Sequence, residues 1–300
     1  MEKHFPVMLK EVIEQLEIKP DGIYVDLTLG RAGHSKEILK QLTTGKLICF
    51  DKDQQALDES INQLKEINDN FVLIKSDFRY AKKELEKIGI TEINGLLADF
   101  GVSSPQLDQI TRGFSYSLDC NLDMRMDLNS DLKATDILNT FSEQEITKIL
   151  IENADVKFAQ RIAKAICENR PINNSFSLNE IIRKSLPAKI VREKNPSKAV
   201  FQAIRIAVND ELNAIKDLLE DIHDLIKVRG KMLFITFHSK EDAIVKKYFQ
   251  NLTYRDPLLN KLPIQINDNW KQKIIFPSEE EIQINKRSRS AKLRVITRLE

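Results

Sequence analysis

The first hundred residues alternate short β-branched runs with longer amphipathic stretches. The runs with the length and composition of strands are residues 23–27, 46–51, 71–75 and 95–100. The stretches with the apolar spacing of helices lie near 33–42, 53–66 and 79–87. Because regular alternation of this kind is typical of βαβ units, the sequence predicts an α/β fold built on a parallel sheet.

The alternation stops after Pro105, and the chain has a helical pattern up to about residue 197. Ser142 with Glu145, and Ser177 with Glu180, are predicted capping boxes that each open an apolar periodic run. This part of the chain therefore predicts a group of helices rather than more sheet.

The first pattern then resumes with a helix over 201–226, a strand over 231–237 and a last strand over 291–298. We therefore expect one α/β domain that is interrupted by an inserted all-helical domain. The predicted boundaries are 1–112 and 198–300 for the sheet domain and 113–197 for the insertion.

Composition narrows the class of protein. A chain of 300 residues with 42% hydrophobic and 30% charged residues is expected to be globular. No apolar run reaches the roughly 18 residues of a membrane span, and charges interrupt the N-terminus, so a cytoplasmic protein without a membrane segment is expected. Cys49, Cys120 and Cys167 form no C-x-x-C pair, which argues against disulfides and a zinc site, and no metal is expected.

A glycine-containing turn follows the first predicted strand. Gly30 and Gly33 let the backbone approach a ligand, and the amides of the next helix offer free donors. Asp51, 21 residues after Gly30, stands where such a sheet presents a carboxylate to ribose hydroxyls. The turn departs from G-x-G-x-x-G at Ala32 and Ser35, so a nucleoside cofactor without a pyrophosphate fits better than a dinucleotide.

The ends of the third and fourth strands extend this constellation. Phe78 can flank a purine or be a core aromatic, whereas Asp99 at a strand end beside glycine and serines favours a functional role. His34 and His238 are not in metal-ligand spacing. Residues 122–127 (LDMRMD) predict a salt-bridged structural segment, and residues 112–116 (RGFSY) fit either loop packing or stacking on an unpaired base.

Basic residues are concentrated in two segments although the net charge is only +1. Residues 182–205 contain seven basic residues against one acid, and residues 286–298 contain six against none. Such segments are solvated faces or contacts for phosphates. The candidate residues for such phosphate contacts are Arg183, Lys184, Lys189, Arg192, Lys292 and Arg294.

Eight blocks of the sequence resemble the bacterial 16S rRNA cytosine-N4 methyltransferases, the MraW or RsmH family. They are residues 4–7 (HFPV), 29–35 (LGRAGHS), 50–53 (FDKD), 99–108 (DFGVSSPQLD), 112–115 (RGFS), 122–127 (LDMRMD), 237–239 (FHS) and 289–294 (RSAKLR). The blocks cover nearly the whole chain. The 99–108 and 122–127 blocks are far more specific than a general methyltransferase signature.

The resemblance implies a class I S-adenosyl-L-methionine methyltransferase, with a Rossmann-like sheet and an inserted helical domain. It implies methylation of the N4 exocyclic amine of cytidine 1402 in the decoding region of 16S rRNA, with the small ribosomal subunit as partner and the oligomeric state open. The cofactor contacts that it implies are Ala32, Gly33, His34, Asp51, Phe78, Asp99 and Gln106.

The family commonly has glycine where this chain has Ala32, so we expect a negative φ at that residue. Cys120-Asn121 and Phe100 are further departures, from Gly-Pro and from Leu.

Cytosine N4 is a poor nucleophile because its lone pair is delocalised into the ring. Catalysis therefore needs acceptors for the amine hydrogens. We expect Asp99, the backbone carbonyls of residues 100–104 and the hydroxyl of Ser103 or Ser104 to supply them, with the cofactor contact as the first role of Asp99. An aromatic residue, Phe100, Phe114 or Tyr116, is expected to stack on a base that is unpaired or extruded.

Two other functions share parts of this pattern. A nicotinamide-dependent oxidoreductase has the same sheet and ribose carboxylate. A non-catalytic RNA-binding or assembly protein accounts for the basic segments but gives no reason for acids at the strand ends.

Overall fold

The computed structural model describes residues 5–193, 195–254 and 269–300. The chain divides into two units, which are treated separately below. The sheet unit is Met1–Gly101 with Asn213–Glu300, and the helical unit is Val102–Leu212. These boundaries differ from the sequence-based ones at 112/113 and 197/198.

The sheet unit contains seven described strands in the order β3-β2-β1-β4-β5-β7-β6. β1 to β5 are parallel, and β7 pairs antiparallel with both β5 and β6. The strands are β1 (Ile23–Asp26), β2 (Lys46–Asp51), β3 (Phe71–Lys75), β4 (Ile93–Asp99), β5 (Ile226–Thr236), β6 (Trp270–Ile275) and β7 (Lys292–Arg298). The predicted α/β class with a largely parallel sheet is confirmed.

Helices cover both faces of this sheet because its strands alternate apolar side chains toward two cores. One core takes Leu47 and Cys49 of β2, and the other takes Ile48 and Phe50. The helices on the first core are α1 (Leu9–Leu16), α2 (Gly33–Leu39) and α3 (Gln54–Lys65). Those on the second are α4 (Ala81–Lys87), α12 (Glu211–Asp221) and α13 (Ser239–Leu252). α14 (Glu279–Ile284) precedes β7.

The helical unit is built around a separate apolar core. Its helices are α5 (Ser104–Asp108), α6 (Ala134–Thr140), α7 (Glu143–Ala154), α8 (Ala159–Glu168), α9 (Ser175–Ser185), α10 (Ala188–Glu193) and α11 (Ser197–Asn209). The Ser142–Glu145 capping box is confirmed. The Ser177–Glu180 box is wrong, because α9 begins three residues earlier and Asn174 caps it by accepting a hydrogen bond of 2.8 Å from the Ser177 amide.

The single helix predicted over 201–226 is two helices. Asp210 adopts a left-handed φ of 48° and ends α11, so α12 starts afresh at Glu211. α11 belongs to the helical unit because Val200 and Ile204 pack in that core, and Asn153 Nδ2 donates to the Ala203 carbonyl at 3.0 Å. This packing is the physical reason that the unit boundary lies after α11.

Candidate functional site

Acidic residues end three neighbouring parallel strands of the sheet unit. Asp26 ends β1, Asp51 ends β2 and Asp99 ends β4. Because the carboxyl ends of parallel strands lie along one edge of a sheet, these carboxylates share that edge. The strand-end constellation expected from the sequence is therefore present.

The turn between β1 and α2 has two residues in the left-handed region. Gly30 has φ 50°, and Ala32, the N-cap of α2, has φ 57° with its methyl group fully buried. The negative φ expected at Ala32 is wrong. A left-handed alanine costs about 1 kcal/mol relative to glycine, so the surrounding packing must hold this turn in place.

Asp26 is a structural acid of this turn. Its Oδ2 accepts a hydrogen bond from Ser35 Oγ at 2.6 Å, and its Oδ1 accepts one from the Thr28 amide at 3.1 Å. Burial raises the pKa of the Asp26 carboxyl above its ordinary value. Oδ2 thus holds the first turn of α2 and Oδ1 holds the chain just after β1, a role that the sequence pattern does not reveal.

Gly33 and His34 contact the N-terminal segment, which we define as residues 5–8. A Cβ at Gly33 would lie 2.4 Å from Pro6 Cγ, so this position requires glycine. His34 Nε2 lies 3.0 Å from the Val7 carbonyl, to which it must donate, and burial lowers the pKa of the ring. Both residues were expected as cofactor contacts, and these bonds give them a second role.

Each carboxylate oxygen of Asp51 accepts a hydrogen bond from a different backbone amide. Oδ2 accepts from Gly30 and Oδ1 accepts from Asp53, both at 2.9 Å. Burial, opposed by these two bonds, raises the pKa of Asp51 to about 6. A carboxylate has about four acceptor positions, so Asp51 keeps capacity for two hydroxyl donors.

Asp99 is a strand-end acid with one carboxyl oxygen that no described residue hydrogen-bonds. Its amide donates to Thr28 Oγ1 at 2.7 Å, but its buried Oδ1 has no hydrogen-bond partner among the described residues. Burial raises the pKa of this carboxyl well above its ordinary value, and the charges of Asp26 and Glu241 raise it further. A buried acceptor without a partner points to a missing donor or cation.

A half-buried His238 and a buried Glu241 follow the end of β5. Glu241 Oε2 accepts from the amides of Phe237 and His238 at 2.8 and 3.3 Å, and Oε1 lies 2.9 Å from His238 Nε2. The Glu241 amide donates to His238 Nδ1 at 3.4 Å, so His238 caps α13. Glu241 was missed in the sequence, although its position three residues after the N-cap is a signal for this role.

Phe78 follows β3 in a short 3-10 helix and is half-buried. Its ring lies 5.6 Å from that of Phe100, which stacks on Phe234 at 5.7 Å. Phe78 thus belongs to an aromatic row and leaves part of its surface free. Phe100 is only 3% exposed, so its expected role as a base-stacking residue is wrong.

In the helical unit, the Ser103 amide donates to Gln106 Oε1 at 3.1 Å. The side chain of Gln106 is buried and that of Ser103 is half-buried. The bond orders the first turn of α5 and orients the amide of Gln106.

Two motifs of the helical unit are structural. Arg125 and Asp123 form the predicted ion pair at 2.8 Å. Arg112 Nη2 donates to the carbonyls of Arg125 and Met126 at 3.0 and 2.9 Å, so its guanidinium is inside. Phe114 is also buried, and the expectation that it stacks on a base is wrong.

Tyr116 remains partly exposed, with an edge-to-face contact to Phe201 at 6.2 Å between ring centroids. It is the one of the three expected stacking aromatics that keeps an accessible face.

The candidate RNA-binding residues separate into two groups. Arg183, Lys184, Lys189 and Arg192 are exposed on α9 and α10, and Lys184 pairs with Glu180. Lys194 of the same basic segment lies outside the described residues.

The β7 residues differ from that group. Arg294 is buried, and its Nε donates to Asp242 Oδ1 at 2.7 Å, which corrects its expected contact with RNA. Lys292 Nζ donates to Asp242 Oδ2 at 2.8 Å and is half-buried. Burial opposes ionisation of Asp242, but the bonds from Arg294 and Lys292 keep its pKa below the ordinary value.

Across the part of the chain that the structure describes, no group of three or more His, Cys, Asp and Glu side chains is placed to hold a metal ion. Within the same residues, no helix has the length and apolarity to cross a membrane.

A family model described as the MraW methylase family matches residues 1–299. Relatives named ribosomal RNA small subunit methyltransferase H are similar over nearly their full length. That of Metamycoplasma arthritidis is 63% identical over 284 residues, covering 95% of this chain and 99% of its own. That of Clostridioides difficile is 46% identical over 307 residues, covering 99% of each.

Among solved structures, an rRNA methylase from Streptococcus thermophilus covers 100% of this chain and 99% of its own at 12% identity and a TM-score of 0.45. At that score the likeness adds no argument to the geometry above.

Proposed function

This chain belongs to the MraW methylase family, and we propose that it transfers a methyl group from S-adenosylmethionine to N4 of cytidine 1402 in 16S rRNA. The shared name of its relatives supports a small-subunit rRNA substrate. The position and the atom rest on the resemblance of the sequence blocks. Such a substrate would place the protein in the bacterial cytoplasm.

The observation that carries the proposal is the unpartnered Oδ1 of Asp99 in an acidic environment. Asp26 and Glu241 are close enough to raise the pKa of Asp99, and burial lowers the pKa of the neighbouring His34, which favours a neutral ring. A ligand that brings positive charge to this edge relieves the repulsion. S-adenosylmethionine fits, since it supplies a methyl group on a positively charged sulfonium and also has an ammonium group.

The residues that would hold this cofactor are proposed as follows. Asp51 would accept the ribose hydroxyls, Phe78 would lie near the adenine, and Asp99 and Gln106 would meet the methionine part. Ala32, Gly33 and His34 would form the first loop.

The buried carboxylates at this edge of the sheet disfavour a nicotinamide dinucleotide as the cofactor. Its pyrophosphate would bring negative charge to an edge that already has buried carboxylates, and the buried methyl of Ala32 occupies a turn that dinucleotide sites build from glycine. A non-catalytic RNA-binding protein gives no reason to bury Asp99 without a partner.

The chain's own part in catalysis is to align the cytosine amine and to accept hydrogen bonds from its N–H groups. We propose that Asp99 serves the cofactor amine first and that the Ser103 hydroxyl accepts from the base. Tyr116 is the stacking residue that retains exposed surface. The target base must be unpaired or extruded to reach these groups.

RNA backbone contacts are proposed for Arg183, Lys184, Lys189 and Arg192, which are exposed, with Lys292 as a weaker candidate because Asp242 already binds it. Arg294 is left out of this proposal. Each phosphate contact would contribute to a salt-dependent affinity.

Mass-spectrometric mapping of methylated cytidines in ribosomal RNA, with and without the protein, tests the reaction. A new N4-methylcytidine at position 1402 is expected, and its absence in every RNA and subunit preparation contradicts the proposal.

Methyl incorporation by Asp99→Ala and Ser103→Ala variants tests the roles of these residues. Wild-type rates in both variants would contradict the proposal that Asp99 and Ser103 are the acceptors.

Calorimetry tests the cofactor. It is expected to show binding of S-adenosylmethionine and no binding of NAD.

A further inference from the structure

The N-terminal segment connects two parts of the sheet unit that are far apart in sequence. On one side, Val7 accepts from His34 and Pro6 fills the space above Gly33. On the other side, the Met8 amide donates to Glu281 Oε1 at 3.1 Å.

A second bond on that side is formed by Asn285, directly after α14. Its Nδ2 donates to the Phe5 carbonyl at 3.1 Å. The segment therefore lies between the glycine turn and the region of α14, and each of its two ends is tied to that region.

The turn needs such support. It holds Ala32 in a left-handed conformation, which is maintained only where the surroundings over-determine it. Pro6 packs directly on Gly33. The hydrogen bond that His34 donates to the Val7 carbonyl fixes the His34 ring. Both contacts act at the N-terminus of α2, where the backbone amides of the proposed cofactor site lie.

We propose that Glu281 and Asn285 are positioning residues for the cofactor, acting through the N-terminal segment on the turn at residues 30–34. On this proposal the segment holds Gly33 and His34, which are themselves proposed cofactor contacts, in the conformation that binds the cofactor. The inference rests on the proposed use of S-adenosylmethionine, and it assigns a function to α14, a helix whose residues are not among the proposed cofactor contacts.

The first experiment measures the affinity for S-adenosylmethionine by calorimetry in Glu281→Ala and Asn285→Ala variants of the full chain. Glu280→Ala is the matched control, because Glu280 is an exposed acid on the same helix. We expect affinity about three- to tenfold weaker in the two variants and within about twofold of wild type in the control. At saturating cofactor, kcat is expected to stay within about twofold of wild type, a pattern that general damage to the fold does not produce.

A double-mutant cycle of His34→Ala and Glu281→Ala tests the route. If both act through the segment, the double variant binds no more weakly than the weaker single variant. Full additivity would mean that His34 and Glu281 affect cofactor binding independently of each other and would overturn the proposal.

Hydrogen exchange at the amides of residues 30–34 in the cofactor-free protein separates this inference from the proposed function. Faster exchange in Glu281→Ala than in Glu280→Ala supports the positioning role even if wild type fails to bind S-adenosylmethionine, which would remove the proposed function alone. Exchange and affinity equal to the Glu280→Ala control in both variants would overturn the inference. These measurements do not depend on the stability of the His34→Ala variant.

Discussion

Replacing Asp99 by asparagine removes a buried titratable carboxyl while keeping the shape of the side chain. The pKa of Asp99 is raised by burial, with Asp26 and Glu241 adding to the effect. Between its ordinary pKa and the raised one, the carboxyl of the cofactor-free protein therefore holds its proton, and a cation that binds beside it at such a pH must displace that proton. Wild-type protein is expected to release a proton when S-adenosylmethionine binds, and Asp99→Asn is expected to release none from this site.

The loss of affinity follows from the bond that Oδ1 is free to make. A hydrogen bond to a charged group contributes about 1.5–3 kcal/mol, which corresponds to a Kd about 10- to 150-fold higher in Asp99→Asn. The stability of the cofactor-free protein changes in the opposite sense. Because the folded pKa lies above the ordinary 3.8, the wild type loses stability as the pH rises through the folded value, and the asparagine variant does not.

Calorimetry in two buffers of different ionisation enthalpy gives the proton count, and thermal melts across pH give the stability. Asp69→Asn is a suitable control because Asp69 is exposed. The reasoning is refuted if Asp99→Asn binds S-adenosylmethionine within about twofold of wild type, or if its proton count equals that of wild type.

Three further outcomes are expected. Since the pKa of Asp51 is raised to about 6, affinity for S-adenosylmethionine should fall by up to about tenfold per pH unit below that value; calorimetry of Asp51→Asn should show a weaker affinity that lacks this part of the pH dependence. Asp242→Asn should destabilise the fold by about 3 kcal/mol in urea melts because Lys292 and Arg294 lose a buried partner, and the wild-type contribution should be lost as pH falls through the lowered pKa of Asp242. Ala32→Gly should change the free energy of unfolding by less than about 1 kcal/mol, because relief of the left-handed strain offsets the lost burial of the methyl group. A decrease in the free energy of unfolding of more than about 2 kcal/mol would contradict this explanation of the turn.

The central strands were predictable because each is a short apolar run between turn residues. β6 was missed: its burial is incomplete, and it lies at the edge of the sheet. The long helix was misread because nothing in the apolar spacing marks the left-handed Asp210 that divides it.

At the site, the acids were predictable from their position after each strand, whereas their environment was not. Local sequence does not show that Asp99 lacks a partner or that Arg294 is buried on Asp242. The contact between Met8 and Glu281 joins residues 273 positions apart, so no local pattern reports it. The φ of Ala32 likewise depends on packing by a distant segment.

The sheet unit is assembled from the two ends of the chain, and this affects folding during synthesis. β4 leaves the ribosome with one edge open, because its partner β5 follows only after residues 102–212 have been made. A helical unit that folds during this interval shortens the flexible connection that β5 must close, which lowers the entropic cost of pairing. It also shortens the time for which the open edge of β4 can recruit another nascent chain.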